Sequence, residues 1–121
     1  MNQSNTSIQD RTENFAIRCI KAYSEINKQN NFNNAAVVLS KQFLRSTTSI
    51  GANCSEAKYA QSRKDFLSKY SIALKEANES RYWINLLVKS ESVPEHKFKI
   101  LQEELNNIIN ILVAITKKLK D

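Results

Sequence analysis

The stretch FLRSTTSIGANCSEAKYAQS, residues 43–62, decides the fold. Between Ser46 and Ala57 nearly every residue is small, yet apolar or small residues recur at Phe43, Thr47, Ile50, Cys54 and Ala57. That spacing of alternate fours and threes lays them along one stripe of a helix. Serine, threonine and glycine are poor helix formers, and Gly51 costs about 1 kcal/mol against alanine. A helix that accepts this cost gains close approach to a neighbour, because small side chains let a second helix come nearer than leucines would. The stretch therefore reads as the packing seam of a helical bundle, with Arg45, Asn53 and Glu56 as candidates for a polar network along it.

Composition agrees. The chain has 121 residues, enough for one domain with a proper core, and contains one glycine and one proline. A β-rich fold needs many more turn residues. No apolar run is long enough to span a membrane. The opening MNQSNTSIQD is polar and matches neither a signal nor a transit peptide, so a cytoplasmic protein is expected. Cys19 and Cys54 fall on helical stripes and read as buried reduced thiols; their spacing gives no disulfide framework, and no histidines accompany them as metal ligands.

Outward from the seam, residues 1–6 read as a flexible N-terminus and 7–121 as one domain of four helices. Thr6 or Ser7, with Asp10, opens helix 1, which runs to about Lys28 on the stripe Ile8, Phe15, Cys19, Ala22 and Ile26. An asparagine-rich loop follows, with Asn33 or Asn34 capping a second helix carried to about Ala60. A turn is expected at Gln61–Ser62, where Ser62 and Asp65 form a capping-box-like pair. Helix 3 carries Phe66, Tyr70, Ala73, Ala77, Ser80, Ile84 and Leu87. Ser92, Pro94 and Glu95 then mark the start of helix 4, from about Val93 to Leu119, with Ser92 as its cap. Helix 4 carries Phe98, Leu101, Leu105, Ile108, Leu112, Ile115 and Leu119, while Ile100, Ile109, Ile111 and Val113 lie beside that stripe. Short loops make the fold all-α, an antiparallel up-down-up-down four-helix bundle. The surplus apolar residues predict homo-oligomer contacts through the ends of helices 3 and 4.

Reactive groups are sparse. His96 is the lone histidine and has no positioned partner in sequence. No glycine-rich phosphate loop is present, and Glu76 and Glu79 lack the Glu-x-x-His spacing of bundle metal sites. No enzyme, metal or other cofactor is expected. Glu79 has another reading. Arg45, Asn53, Glu56 and Glu79 either form a buried polar network, since buried charge must be paired, or are ordinary solvated positions. The balance of 18 Lys and Arg against 12 Asp and Glu gives a net charge of +6, compatible with RNA or DNA as partner. In an alternating bundle one end collects Arg11, Lys58, Arg63, Lys64, Lys117, Lys118 and Lys120, interleaved with Asp10, Glu13, Glu56, Asp65 and Asp121.

Two segments, FLRSTTSIGANCSEA at residues 43–57 and DFLSKYSIALKEANESRYWINLL at residues 65–87, carry a resemblance. The pattern is R-S-x-x-S-I-x-A-N with a glutamate soon after, then phenylalanine, alanine and glutamate at Phe66, Ala73 and Glu79, and an aromatic-rich helix end. It resembles the four-helix bundle proteins encoded in intervening sequences of bacterial 23S rRNA genes, over residues 8–118. The matching positions are Arg45, Ser46, Ser49, Ile50, Ala52, Asn53, Glu56 and Glu79. The resemblance implies a compact bundle that assembles as a homopentamer. It also implies kinship with the accessory variability determinant of diversity-generating retroelements, a basic bundle that binds reverse transcriptase and nucleic acid. Two functions are therefore expected: RNA association without catalysis, or a scaffold that docks a protein such as a reverse transcriptase or polymerase.

Overall fold

The computed structural model describes residues 6–29 and 34–121. They form α1 (Ile8–Gln29), α2 (Asn34–Ala57), α3 (Arg63–Lys89) and α4 (Glu95–Lys120). Residues 1–5 of the expected N-terminal segment, and Asn33 as a cap for α2, lie outside the described residues.

The hydroxyls expected at two helix starts are in place. Ser7 Oγ accepts from Asp10 N at 3.0 Å, and Ser62 Oγ accepts from Asp65 N at 3.0 Å. Each satisfies a backbone donor that the first helical turn leaves unpaired. Two boundaries differ from expectation. α2 ends at Ala57 rather than Ala60, because Lys58, Tyr59 and Ala60 each donate to the carbonyl three residues back, tightening the last turn.

α4 begins at Glu95 rather than Val93, and Ser92 is not its cap. Ser92 N instead donates to Leu87 O at 3.0 Å and Glu91 N to Val88 O at 3.0 Å. Glu91 sits at φ 61. This six-to-one closure with a left-handed residue ends α3 and uses residues 90–92 to do so. Ser92 Oγ lies 2.9 Å from Ser90 Oγ, and Pro94 precedes the helix without a side-chain cap.

Hydrogen bonds fix the directions. Asn27, near the end of α1, donates to Ser40 Oγ near the start of α2 at 3.2 Å, whereas Gln9 at the start of α1 reaches Cys54 O near the end of α2 at 3.1 Å. Ser46–Ser80 and Glu56–Lys69 set α3 antiparallel to α2 in the same way. Asn85–Gln102 and Arg63–Leu119 set α4 antiparallel to α3. Neighbours in the chain are neighbours in space, α4 closes back onto α1, and α2 packs most extensively on α3.

The predicted stripes form the core. Thr12, Phe15, Cys19, Phe43, Thr47, Ile50, Cys54, Ala73, Ala77, Ile84, Leu87, Leu105, Ile108 and Leu112 are buried to within 1%. Phe43 meets Phe98 across the bundle at 6.0 Å between ring centroids. The small residues act as a seam. Ser46 and Ser80 are wholly buried, with Ser80 Oγ 3.0 Å from Ser46 Oγ and 2.8 Å from Glu76 O. Gly51 faces the backbone of Thr12 on α1. Ile109, expected beside the stripe, is 7% exposed and belongs to the core.

Candidate nucleic-acid interface

The seam places Arg45 at its outer edge. Ser46 takes the buried position opposite Ser80, and one residue back the chain has turned about 100° around the helix. Arg45 therefore emerges between α2 and α3 with its side chain 49% exposed. Its Nη1 donates to Glu76 Oε2 at 3.1 Å, and its Nη2 to Glu79 Oε2. Glu79 also accepts from Trp83 Nε1 at 3.0 Å. The four-residue buried network is thereby corrected: Arg45 and Glu79 meet, but at the surface. Asn53 donates to Ser49 O one turn back at 2.9 Å, and Glu56, 59% exposed, pairs with Lys69 at 3.2 Å. Sequence reasoning missed Glu76 as the second acceptor. Its signal in the sequence is the three-residue spacing from Glu79, which sets both carboxylates on one face of α3.

The cationic end forms through one side chain. Arg63, the first residue of α3, donates from Nε to Leu119 O and from Nη2 to Lys118 O, both at 3.2 Å. These carbonyls belong to the last turn of α4, where the helix dipole concentrates negative partial charge. The contact draws the α2–α3 turn and the α4 tail together. Lys58, Arg63, Lys64, Lys117, Lys118 and Lys120 are all exposed there.

Arg11 leaves this set. Its Nε and Nη2 donate to the two Glu104 carboxylate oxygens at 2.8 and 2.9 Å, with only 17% and 20% of the two side chains exposed. That hydrogen bonding holds the guanidinium pKa above its ordinary value, and the fork is engaged with a carboxylate rather than open to a phosphate. Arg11, expected as a phosphate contact, is thus engaged with Glu104 at the α1–α4 seam. Tyr59, absent from the sequence-predicted set, stands 77% exposed in the α2–α3 turn beside Lys58. An aromatic residue next to a lysine, close to the expected end of the second helix, was the available signal.

Elsewhere the polar groups are structural. Cys19 and Cys54 are free and fully buried, and burial pushes their thiols up to about 12 and about 11. At neutral pH neither supplies a thiolate. His96 is exposed in the first turn of α4. Among the described residues no group of three or more His, Cys, Asp or Glu side chains could hold a metal ion. A 240 Å³ cavity at the α1–α4 seam is lined by Thr6, Arg11, Asn14, Arg18 and Glu104. Among the described residues no helix is long and apolar enough to cross a membrane.

Fold and site together define an all-α, basic four-helix bundle whose charged side chains tie helices to one another and crowd one end. The chain belongs to the 23S rRNA-intervening sequence protein family, whose model matches residues 4–114. Among solved structures it is similar to a protein of unknown function from the S23 ribosomal protein family of Bacteroides thetaiotaomicron. The two are 40% identical; the match covers 91% of this chain and 95% of that one, with a TM-score of 0.84. None of the curated proteins matches this chain.

Proposed function

We propose that this protein is a non-enzymatic, homo-oligomeric bundle that associates with RNA through the end carrying Lys58, Arg63, Lys64, Lys117, Lys118 and Lys120. The observation that carries the reading is the Arg63 contact with the last carbonyls of α4, which gathers two basic segments far apart in the chain. Phosphate binding strengthens with each neutralised contact, so clustering matters more than the net charge of +6. Assembly is supported by exposed apolar side chains on all four helices. Ile17 and Ile100 are 44% and 57% exposed on α1 and α4, while Val38 and Ile72 are 59% and 41% exposed on α2 and α3. Apolar side chains on different helices suit a head-to-tail contact, which closes into a ring when the rotation allows. The family resemblance supports five protomers as the number in that ring.

The test is light scattering coupled to size exclusion, with and without a mixed RNA fragment at two salt concentrations. The reading expects a mass near five protomers and an RNA-dependent shift at low salt that fades at high salt. A monomer overturns the assembly, and an oligomer that never shifts overturns the RNA reading.

A second reading, a scaffold docking a protein such as a polymerase, is favoured by Tyr82, 57% exposed and edge-on to Trp83 at 5.2 Å. Exposed aromatic pairs are common anchors of protein interfaces. A co-purifying protein that survives nuclease treatment selects this reading.

A further inference from the structure

The exposed apolar side chains fall into two kinds. Val38, Ile72, Ile17 and Ile100 project from the sides of the helices, where a second copy could cover them in the proposed assembly. Tyr59 is different. It is 77% exposed, it lies in a turn at one end of the bundle, and basic residues outnumber the acidic ones, Asp10, Glu13, Glu56, Asp65 and Asp121, at that end. Lys58 precedes it, Arg63 and Lys64 follow within five residues, and Arg63 brings Lys117, Lys118 and Lys120 to the same end.

The backbone under the ring is fixed. Tyr59 N donates to Glu56 O at 3.0 Å, Lys58 N to Ser55 O at 3.3 Å and Ala60 N to Ala57 O at 3.1 Å. Ala57 is fully buried, and Ser62 caps the next helix. The ring is thus carried by an ordered turn rather than a floppy loop, so less freedom is lost when it is covered.

A flat aromatic face held among cations matches one ligand chemistry well: a nucleobase attached to a phosphate backbone. Every base has a π-face, so stacking tolerates any sequence, while lysines and arginine follow the phosphates. A duplex offers far fewer free faces, because its internal bases are already stacked on one another. We infer that Tyr59 is a stacking platform for an unpaired base, which makes single-stranded RNA the ligand class of this end. The inference rests on the RNA reading above and narrows it.

The experiment measures fluorescence anisotropy of a labelled 15-nucleotide uridine-rich strand and of a blunt RNA duplex of equal length. The proteins are the full chain, Tyr59→Ala, Tyr59→Phe and a Lys58→Gln/Lys64→Gln double variant. Circular dichroism and oligomer mass confirm that each is folded, and a side chain this exposed leaves the core untouched. Tyr59→Ala is expected to weaken single-strand binding about tenfold, the order that one lost base stack gives, with an unchanged salt slope. Tyr59→Phe keeps the affinity, and duplex binding is the same for all three tyrosine-site proteins. The lysine variant instead lowers the salt slope for both ligands. Equal single-strand affinity for Tyr59→Ala and the parent overturns the stacking site while leaving RNA binding intact. Equal losses for strand and duplex overturn it too. A parent that binds neither ligand overturns the RNA reading itself.

Discussion

Gly51 is the sharpest probe of the seam. A Cβ placed there would lie 3.3 Å from Thr12 O, 3.4 Å from Thr12 C and 3.5 Å from Thr12 Oγ1. The first two atoms are backbone, and the Thr12 side chain is itself bonded to Ile8 O at 2.8 Å. α1 must therefore move as a body, by a few tenths of an ångström, to admit a methyl group. Against this stands helix propensity. In an open helix, glycine to alanine gains about 1 kcal/mol, which corresponds to about 4 °C in Tm for a domain of this size.

The contact offsets much of that gain, so Gly51→Ala is expected within about 0.5 kcal/mol of the parent. Gly51→Val adds two more carbons at the same place and is expected to lose about 2 kcal/mol, in the range of overpacked cores. The assay is urea unfolding followed by circular dichroism, at one fixed protein concentration because assembly contributes to apparent stability. If alanine delivers the full gain and valine is no worse than alanine, α1 does not lie against Gly51 and the seam argument fails.

Other substitutions separate structural from binding roles. Glu91 holds φ 61 in the α3 closure, so Glu91→Gly should raise stability by about 1 kcal/mol, read from the urea midpoint. Arg11→Met breaks a partly buried two-bond pair with Glu104 and should cost about 2 kcal/mol while leaving RNA affinity unchanged; Lys118→Met should do the reverse. Arg45→Ala should cost no more than about 1 kcal/mol, because half of that side chain already faces solvent, and a larger loss would restore a buried role for it. The thiols predict a pH dependence. Their folded pKa values, about 12 for Cys19 and about 11 for Cys54, lie above the ordinary 9.0, so the folded chain keeps protons that the unfolded chain releases. Their contribution is fully present below pH 9 and declines as pH climbs from there toward 11 and 12. Between pH 8 and pH 10.5 the parent should therefore lose more stability than a Cys19→Ala/Cys54→Ala variant; equal losses refute the assignment.

The heptad stripes were legible because burial in a bundle repeats along the chain with the period of the helix. That logic located Phe43, Ile50, Cys54, Ala73, Ala77 and Leu112 in the core. It could not locate features that depend on a single backbone angle or a distant partner. The α3 closure normally advertises itself with glycine, and here a glutamate occupies the left-handed position. Arg45 and Ser46 are adjacent on a small-residue helix, and only the fit against α3 decides which of them is buried. The Arg11–Glu104 pair joins residues 93 positions apart, a separation on which periodicity is silent. The cationic end was visible as an inventory of lysines, but the Arg63 contact that assembles it, and the exposure of Tyr59, are products of the turn geometry.

Assembly and binding reinforce one another in the proposed function. The end carries Lys58, Arg63, Lys64, Lys117, Lys118 and Lys120 against Asp10, Glu13, Asp65 and Asp121, with Glu56 already paired to Lys69. A single copy of such a patch binds phosphates weakly at physiological salt. In the proposed ring, contacts between the sides of the bundles would set their axes side by side, and a rotation axis running along them would bring every cationic end to one face. One RNA strand then meets several equivalent patches, and the second engagement is intramolecular. Disrupting the flank should therefore weaken RNA binding without removing a single cation. Val38→Glu is the test. Val38 is 59% exposed, so the substitution spares the core of the protomer. A Val38→Gln companion carries no new charge and separates the loss of assembly from the added carboxylate. Both variants should shift to smaller species and lose RNA affinity by a similar large factor, with a shallower salt slope. Monomers that bind RNA as tightly as the parent would show that one patch suffices and that the ring serves another purpose.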